Sequence, residues 1–511
     1  MKIAAIFQPG MVLQRGKPVL IWGTGTPREK IRGAIQGKTA AAVTGSDGKW
    51  MLRIPELRES AGEVLTVESG SQRIEINDIA VGEVFVAAGQ SNMEFWMRYE
   101  KHYQEMIPIC ENPDVRFYDM PKLAYEGQEC DFDYHNVGIW RKASKENLAY
   151  FSAVGYYLAR KLEKELSVPV GIIGCSWGGT RSLAWMSEEH AREIQKEQTA
   201  DFEAALKGRS CEDFRKDCAG NPMNDTGNHE WIPFNDFILP NTPTEEEISA
   251  YLSQNRCPEA DPAKPQDAPG ALYRHMVLRL APYTVRAVLW YQGESDDEID
   301  GAQKNYQAAL DAVKRDWRSA WSDPVLPFFV VQLPGFCSWF GFVNKGFAVI
   351  RACQQQAVDE DANAWLCSIS DAGEEFDIHP KDKKIVGERL ALLAEKHLFG
   401  ENVLADAPRV KDIERGENTI ALQFEYAEGG LLVDGENVNA LEVLRDGREV
   451  SFTAVISGSR LIIHTPPDAS ENITIKFACQ AWYRVNLFNQ NHIPAIPFQV
   501  SLSCKRGINH E

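Results

Sequence analysis

Between about residues 79 and 404, short apolar runs alternate with stretches of helical periodicity, and this alternation restricts the region to an α/β layer built on a parallel sheet. The runs fall at 84–88, 168–173, 285–291, 327–332 and 364–369. Each is short and rich in β-formers, which suits a strand covered on both faces. Phe151, Val154, Leu158, Leu162 and Leu166 recur at three- and four-residue spacing, so they make one apolar helix face, and the next strand begins directly at Val168.

The flanks read differently. Residues 1–78 break into short runs separated by turn signals such as Gly23-Thr24-Gly25 and Gly45-Ser46-Asp47-Gly48, which predicts an N-terminal β-domain. From 405 to 511 the helical pattern stops and turn-punctuated strands continue, which predicts a C-terminal β-domain. A polar segment at about 188–270, with prolines at 222, 233, 240 and 243, is too long for an ordinary connection and is expected to be a helical insertion in the 79–404 domain.

Three domains fit a length of 511 residues, which exceeds what one core serves. A formal charge of −19, with no basic cluster to offset it, excludes a nucleic-acid partner. No stretch reaches the roughly 20 apolar residues of a membrane span, and the opening residues lack a leader pattern. Eleven cysteines without a CxxC pair argue against a disulfide framework and a structural zinc site, so a cytoplasmic protein with reduced thiols is expected. No metal site is expected elsewhere. His229-Glu230 lacks a second histidine at the required spacing, and the run 296–298 reads as a solvated acidic loop.

The sharpest local signal is Gly89-Gln90-Ser91-Asn92-Met93-Glu94, immediately after the run 84–88. A serine at the carboxyl end of a strand stands where open α/β sheets place their ligands, and Gly89 permits the tight turn that exposes its hydroxyl. Three other segments follow later runs: Gly174-Cys175-Ser176-Trp177-Gly178-Gly179-Thr180, Trp290-Tyr291-Gln292-Gly293-Glu294-Ser295-Asp296, and Asp377-Ile378-His379-Pro380. In a parallel sheet all four would meet at one edge.

These four segments, in this order, resemble the conserved blocks of the SGNH-hydrolase superfamily, and within it the sialate O-acetylesterase and related carbohydrate acetylesterase families. The resemblance extends to Phe7 through Arg15 and to Asn486 through Phe498 in the flanking β regions. It implies a three-layer, flavodoxin-like α/β/α hydrolase domain. It also implies a serine esterase that removes acetyl groups from sugars without cofactor or metal. Ser91 would be the nucleophile and His379 its base, with Asp377 as the acid of the triad. The family pattern usually places that acid three positions before the histidine, where this chain has Phe376, so Glu374, Glu375, Asp371 or a dyad remain alternatives.

The oxyanion donors implied are the Ser91 and Gly179 (or Gly178) N–H groups and the Gln292 amide. Trp177, Arg98, Arg181 and Glu294 are candidates for substrate contact, the aromatic ring by stacking on a sugar and the guanidinium groups by pairing with a carboxylate. The expected partner is an acetylated mono- or oligosaccharide, with no nucleic acid and no membrane. Sialic acid is the first substrate expectation, and acetylated xylan, xyloglucan or mannan fragments the second. A catalytically silent carbohydrate-binding protein and a lipid esterase are the rival classes. The first has no use for Ser91, His379 and Gln292 together, and the second calls for a long apolar slot that these segments do not suggest.

Overall fold

The computed structural model describes all residues except 129–136, 220–230, 256–262, 417, 466–471 and 503–511. The N-terminal runs form β1 (Lys2–Ile3), β2 (Val12–Gln14), β3 (Val19–Thr24), β4 (Lys30–Ile35), β5 (Lys38–Val43), β6 (Lys49–Ile54), β7 (Ser60–Ser69) and β8 (Gln72–Gly89). Their two-residue period is visible in β6, where Trp50, Leu52 and Ile54 are buried while Lys49, Met51 and Arg53 face solvent.

β8 joins two environments. Its first half pairs antiparallel with β7, and from Glu83 onward every residue is buried. There it lies in a sheet with β9 (Asn112–Asp119), β10 (Trp140–Ala143), β11 (Val170–Ser176) and β12 (Ala287–Tyr291), in the order β10-β9-β11-β8-β12. β9, β11, β8 and β12 are mutually parallel, but β10 runs antiparallel to β9. The central sheet is therefore mixed, which corrects the expectation of a parallel sheet. A parallel neighbour needs a crossover, usually helical, whereas the described part of the 120–139 connection contains turns and no helix.

The switch in β8 is pinned by a buried charge. The Glu83 carboxylate accepts from Arg15 Nε at 2.7 Å, Arg286 Nε at 2.6 Å and Gln14 Nε2 at 2.8 Å. Removing Glu83 would take away the counter-charge that the two guanidinium groups share. The helix Ala153–Leu166 covers the sheet with the predicted face, capped by Ser152, whose hydroxyl accepts from the Gly155 N–H. At Gly155 a Cβ would stand 2.8 Å from Ile172 Cγ2, so the absent side chain lets this helix approach β11 closely. The expected insertion contains helices at Glu188–Ile194, Lys196–Ala205, Cys211–Ala219, Trp231–Ile238 and Glu245–Gln254.

The chain divides into two compact units, Met1–Phe329 with Lys381–Glu388, and Val330–Pro380 with Arg389–Glu511. β13 (Phe328–Val331) carries the chain from the first to the second. In the second unit the hairpin β14 (Ser338–Trp339) and β15 (Phe342–Val343) precedes the helix Phe347–Asp359 and β16 (Ala364–Cys367), and Gln332 N–H bonds to Cys367 O. Beyond Pro408 lie two four-stranded antiparallel sheets, whose inward residues Leu422, Val443, Leu461, Ile463, Ile475 and Phe477 share one dry core. Among the described residues no helix is long and apolar enough to cross a membrane.

Candidate active site

Three neighbouring strands end in register. Ser176 of β11 and Tyr291 of β12 both pair with Gly89 of β8, so the segments that follow leave the sheet together at one edge. Gly89 has φ +132°, and a Cβ there would lie 2.1 Å from Tyr291 O, so the turn accepts glycine alone. It delivers the chain into the one-turn helix Ser91–Glu94, whose first residue is Ser91. The N–H groups of Met93 and Glu94 close the turn on Gln90 O, both at 3.0 Å, and those of Ser91 and Asn92 precede that bonding at the start of the turn.

A four-residue helix has no stability of its own, so side chains on either side of the serine must hold it. Gln90 Oε1 accepts the N–H groups of Gly293 and Ser295, both at 3.3 Å. Asn92 Nδ2 donates to Glu294 Oε1, while its Oδ1 accepts from the Lys383 ammonium. Glu94 Oε2 accepts the Gly178 N–H at 2.7 Å and its other oxygen pairs with Lys122. Ser152 Oγ donates to Met93 O at 2.6 Å. Residues 90, 92 and 94 thus tie the turn to the segments after β12 and β11.

The glycine loop after β11 closes on the serine from the side. A Cβ on Gly178 would stand 3.3 Å from Ser91 Cβ, and its N–H is committed to Glu94, whereas Gly179, at φ +70°, has open space where a Cβ would stand. Trp177 donates its backbone N–H to Gly89 O at 3.1 Å, and its largely buried ring has Lys122 Nζ 5.9 Å from the centroid.

Gln292 is completely buried, and its amide donates to Asp296 Oδ2 at 2.6 Å and to Thr180 O and Gln90 Oε1, both at 3.2 Å. Its Oε1 accepts from the Tyr306 hydroxyl at 2.9 Å. In this arrangement the amide ties the β12 turn to the two neighbouring loops. Asp296 also accepts from Ser182 N–H at 2.9 Å and Gln198 Nε2 at 2.7 Å. The acidic run expected as a solvated loop is therefore corrected: Asp296 and Asp297 are fully buried and only Glu298 is exposed. The donors around Asp296 make that burial tolerable, although burial still pushes its carboxyl above the ordinary carboxylate range.

Glu294 is buried as well. Burial raises its pKa, opposed by the Asn92 hydrogen bond and by the nearby Lys383 charge. Both arginines proposed for carboxylate recognition are engaged within the protein. Arg98 pairs with Asp236 at 2.8 Å and bonds Tyr150 OH at 3.2 Å, while Arg181 pairs with Asp201 at 2.7 Å and Glu298 at 3.0 Å.

His379 and Asp377 belong to the second unit. Asp377 Oδ1 accepts the His379 backbone N–H at 2.8 Å, folding 377–379 into a tight turn, and lies 3.8 Å from His379 Nδ1. Both side chains are buried, and Trp339 meets the imidazole edge-on with centroids 5.0 Å apart. Of the alternative acids, Asp371 is bound bidentately by Arg389 at 2.7 and 2.8 Å. Glu374 forms a bridge pair with Asp377, and the Glu375 carbonyl accepts from Cys337 N–H at 2.9 Å.

The sequence assigns no supporting role to Gln90, Asn92, Glu94 or Asp296, although all four lie within its motifs, and does not point to Lys122 or Lys383. The alternation of polar residues at 90, 92 and 94 around Ser91 was the available signal for three of them; Lys122 and Lys383 carry none, since their partners lie far away in the chain. Among the described residues one set of potential metal ligands converges, Glu100, His102 and Asp382, with ligand atoms within 4.8 Å of one another. The Lys101 ammonium, 3.4 Å from Asp382, already supplies a cation there.

A family model described as carbohydrate esterase, sialic acid-specific acetylesterase matches residues 261–391. Sialate O-acetylesterase of Rattus norvegicus is 25% identical over 459 residues, covering 83% of this chain and 79% of that protein. The Homo sapiens sialate O-acetylesterase is 26% identical over 448 residues, with 81% and 74% covered. Among solved structures, a carbohydrate acetylesterase from Xanthomonas citri superposes with a TM-score of 0.74 at 25% identity, covering 98% of this chain and 99% of that one.

Proposed function

We propose, from its likeness to the sialic acid-specific acetylesterase family model and to the sialate O-acetylesterases, that the chain belongs to that carbohydrate esterase family and acts through Ser91 and His379 on acetylated sugars. It is a carbohydrate O-acetylesterase, a carboxylic-ester hydrolase. In the proposed mechanism Ser91 Oγ attacks the acetyl carbonyl while His379 accepts the hydroxyl proton. The tetrahedral oxyanion then collapses, the C–O bond to the sugar breaks, and His379 returns the proton to the departing alkoxide. Water, deprotonated by His379, hydrolyses the acetyl-enzyme to acetate and regenerates Ser91.

The observation that carries this reading is the shared strand end at Ser176, Gly89 and Tyr291, from which Ser91 and the Gly178-Gly179 loop emerge side by side. The Ser91 and Gly179 N–H groups are the proposed oxyanion donors, since that of Gly178 is taken by Glu94. Gln292 supports them by holding the loops together through its inward hydrogen bonds. Asp377 remains the proposed acid, acting on the imidazole by charge at 3.8 Å and by fixing the turn through the backbone N–H. Trp177 is the proposed sugar contact. The finer architecture proposed is an SGNH-type α/β/α layer at 79–404 between β-domains at 1–78 and 405–511.

Sialic acid O-acetyl esters are the first proposed substrates, following the names of the curated relatives. The near full-length likeness to a carbohydrate acetylesterase supports a second reading, acetylated xylan, xyloglucan or mannan fragments. Acetate release is measured from 9-O-acetylated sialic acid, acetylated xylo-oligosaccharides and acetylated mannan, with p-nitrophenyl acetate alongside. Ser91→Ala is expected to abolish nearly all release with the fold intact, leaving only binding and oxyanion stabilisation. Turnover within about tenfold of wild type would remove Ser91 as nucleophile.

A further inference from the structure

Lys383 has no solvent exposure, an unusual state for a lysine and a costly one unless its charge is used. Its ammonium donates to Asn92 Oδ1 and lies 4.8 Å from the Phe95 ring centroid and 5.4 Å from that of Tyr291. Asn92 passes the interaction on, because its Nδ2 donates to Glu294 Oε1 at 2.5 Å. Asn92 and Glu294 are likewise buried, and Glu294 Oε2 has no hydrogen-bond partner among the described residues.

The chain of contacts is therefore a buried cation and a buried carboxyl group joined through one amide. That amide belongs to the residue following the proposed nucleophile. Its orientation is dictated by the ends: the oxygen must face the ammonium and the nitrogen the carboxylate. Neutralising either end removes one of the two charges that set the amide's orientation. Because the Ser91–Glu94 helix is a single turn, it depends on side-chain ties such as this one to hold its backbone, and Ser91 with it, in place.

We propose that Lys383 is a positioning residue of the esterase, which holds the Ser91 turn in its reactive geometry through Asn92 and Glu294. This rests on the reading of Ser91 as nucleophile. It adds a functional reason for the lysine four positions after His379, so that one short stretch of sequence supplies both the proposed base and an anchor for the nucleophile's turn.

The test compares wild type, K383M, E294Q and K383M/E294Q by three measurements: kcat and KM on p-nitrophenyl acetate, the rate of covalent labelling by a fluorophosphonate with the labelled residue identified by mass spectrometry, and the melting temperature. In K383M, kcat and labelling rate are expected to fall together by about 100-fold while KM stays within about threefold. The double variant, which removes both charges from the chain of contacts, is expected to melt nearer wild type than K383M and to recover part of the lost turnover. A purely structural lysine would lower the melting temperature and leave turnover per labelled serine unchanged. The proposal is overturned by a folded K383M with kcat and labelling within about threefold of wild type. Should K383M not fold, the same values in the double variant overturn it. A wild-type label on a residue other than Ser91 defeats the reading of Ser91 itself, whichever way the lysine variants behave.

Discussion

At Gly89 two demands coincide, a left-handed backbone at φ +132° and a neighbouring carbonyl 2.1 Å from where a Cβ would stand. Gly89→Ala is therefore expected to push β8 away from β12 at the point where Ser91 is launched. A loss of kcat/KM of about 100-fold should accompany a destabilisation of about 1–3 kcal/mol, measured by kinetics and by urea titration. The acid of the proposed triad gives a graded case. In Asp377→Asn the amide oxygen can still accept the His379 N–H, so the turn survives while the charge 3.8 Å from the ring is lost. Turnover is expected to fall about 10- to 100-fold, against about 10⁴-fold for His379→Ala, which deprives the serine of its base. Near-wild-type turnover of Asp377→Asn would instead leave Ser91 and His379 working as a dyad. The sequence pointed to Asp377 by adjacency alone; its bond to the backbone rather than to the imidazole nitrogen is a matter of local conformation that spacing does not encode.

Among the strands, β9 ends in a partly buried acid, Asp119, and desolvation pushes its carboxyl up to about 6 against the pull of Lys122 and Arg141. Since its folded pKa lies above the unfolded value of 3.8, the folded state binds the proton more tightly, and ionisation costs stability as the pH rises from about 4 to 6. Asp119→Asn mimics the protonated form at every pH. The variant is expected to exceed wild type by about 1–3 kcal/mol at pH 8 and to match it below about pH 4, read by denaturant unfolding across that range. The change of periodicity near residue 79 was legible, but it falls inside one continuous strand, because β8 pairs with β7 at one end and with β11 and β12 at the other. β9 and β10 were not anticipated: their short mixed runs, NPDVRFYD and WRKA, show neither clean alternation nor a continuous apolar core.

For the molecule as a whole, the proposed chemistry calls for a small acyl group, because Gly178 brings its backbone against Ser91 and Trp177 is packed down beside it. The esterase is expected to prefer p-nitrophenyl acetate over the octanoate ester by about 100-fold in kcat/KM, with butyrate between them; a preference for octanoate would return the lipid-esterase reading. The α/β class, the strands that carry the motifs, and Ser91 with its glycine turn were all determined by local sequence, since periodicity and turn chemistry act over a few residues. What surrounds Ser91 was not. That Asp296 is buried among glutamines and serines, that Gln292 spends its amide on Thr180 and Asp296, and that Arg98 and Arg181 are bound to Asp236, Asp201 and Glu298 follow only from the packed structure. The tie of Lys383 to Asn92 spans 291 residues of sequence. Such partners are chosen by which groups burial leaves in need of a counter-charge or a hydrogen bond, and that need exists only once the chain has folded.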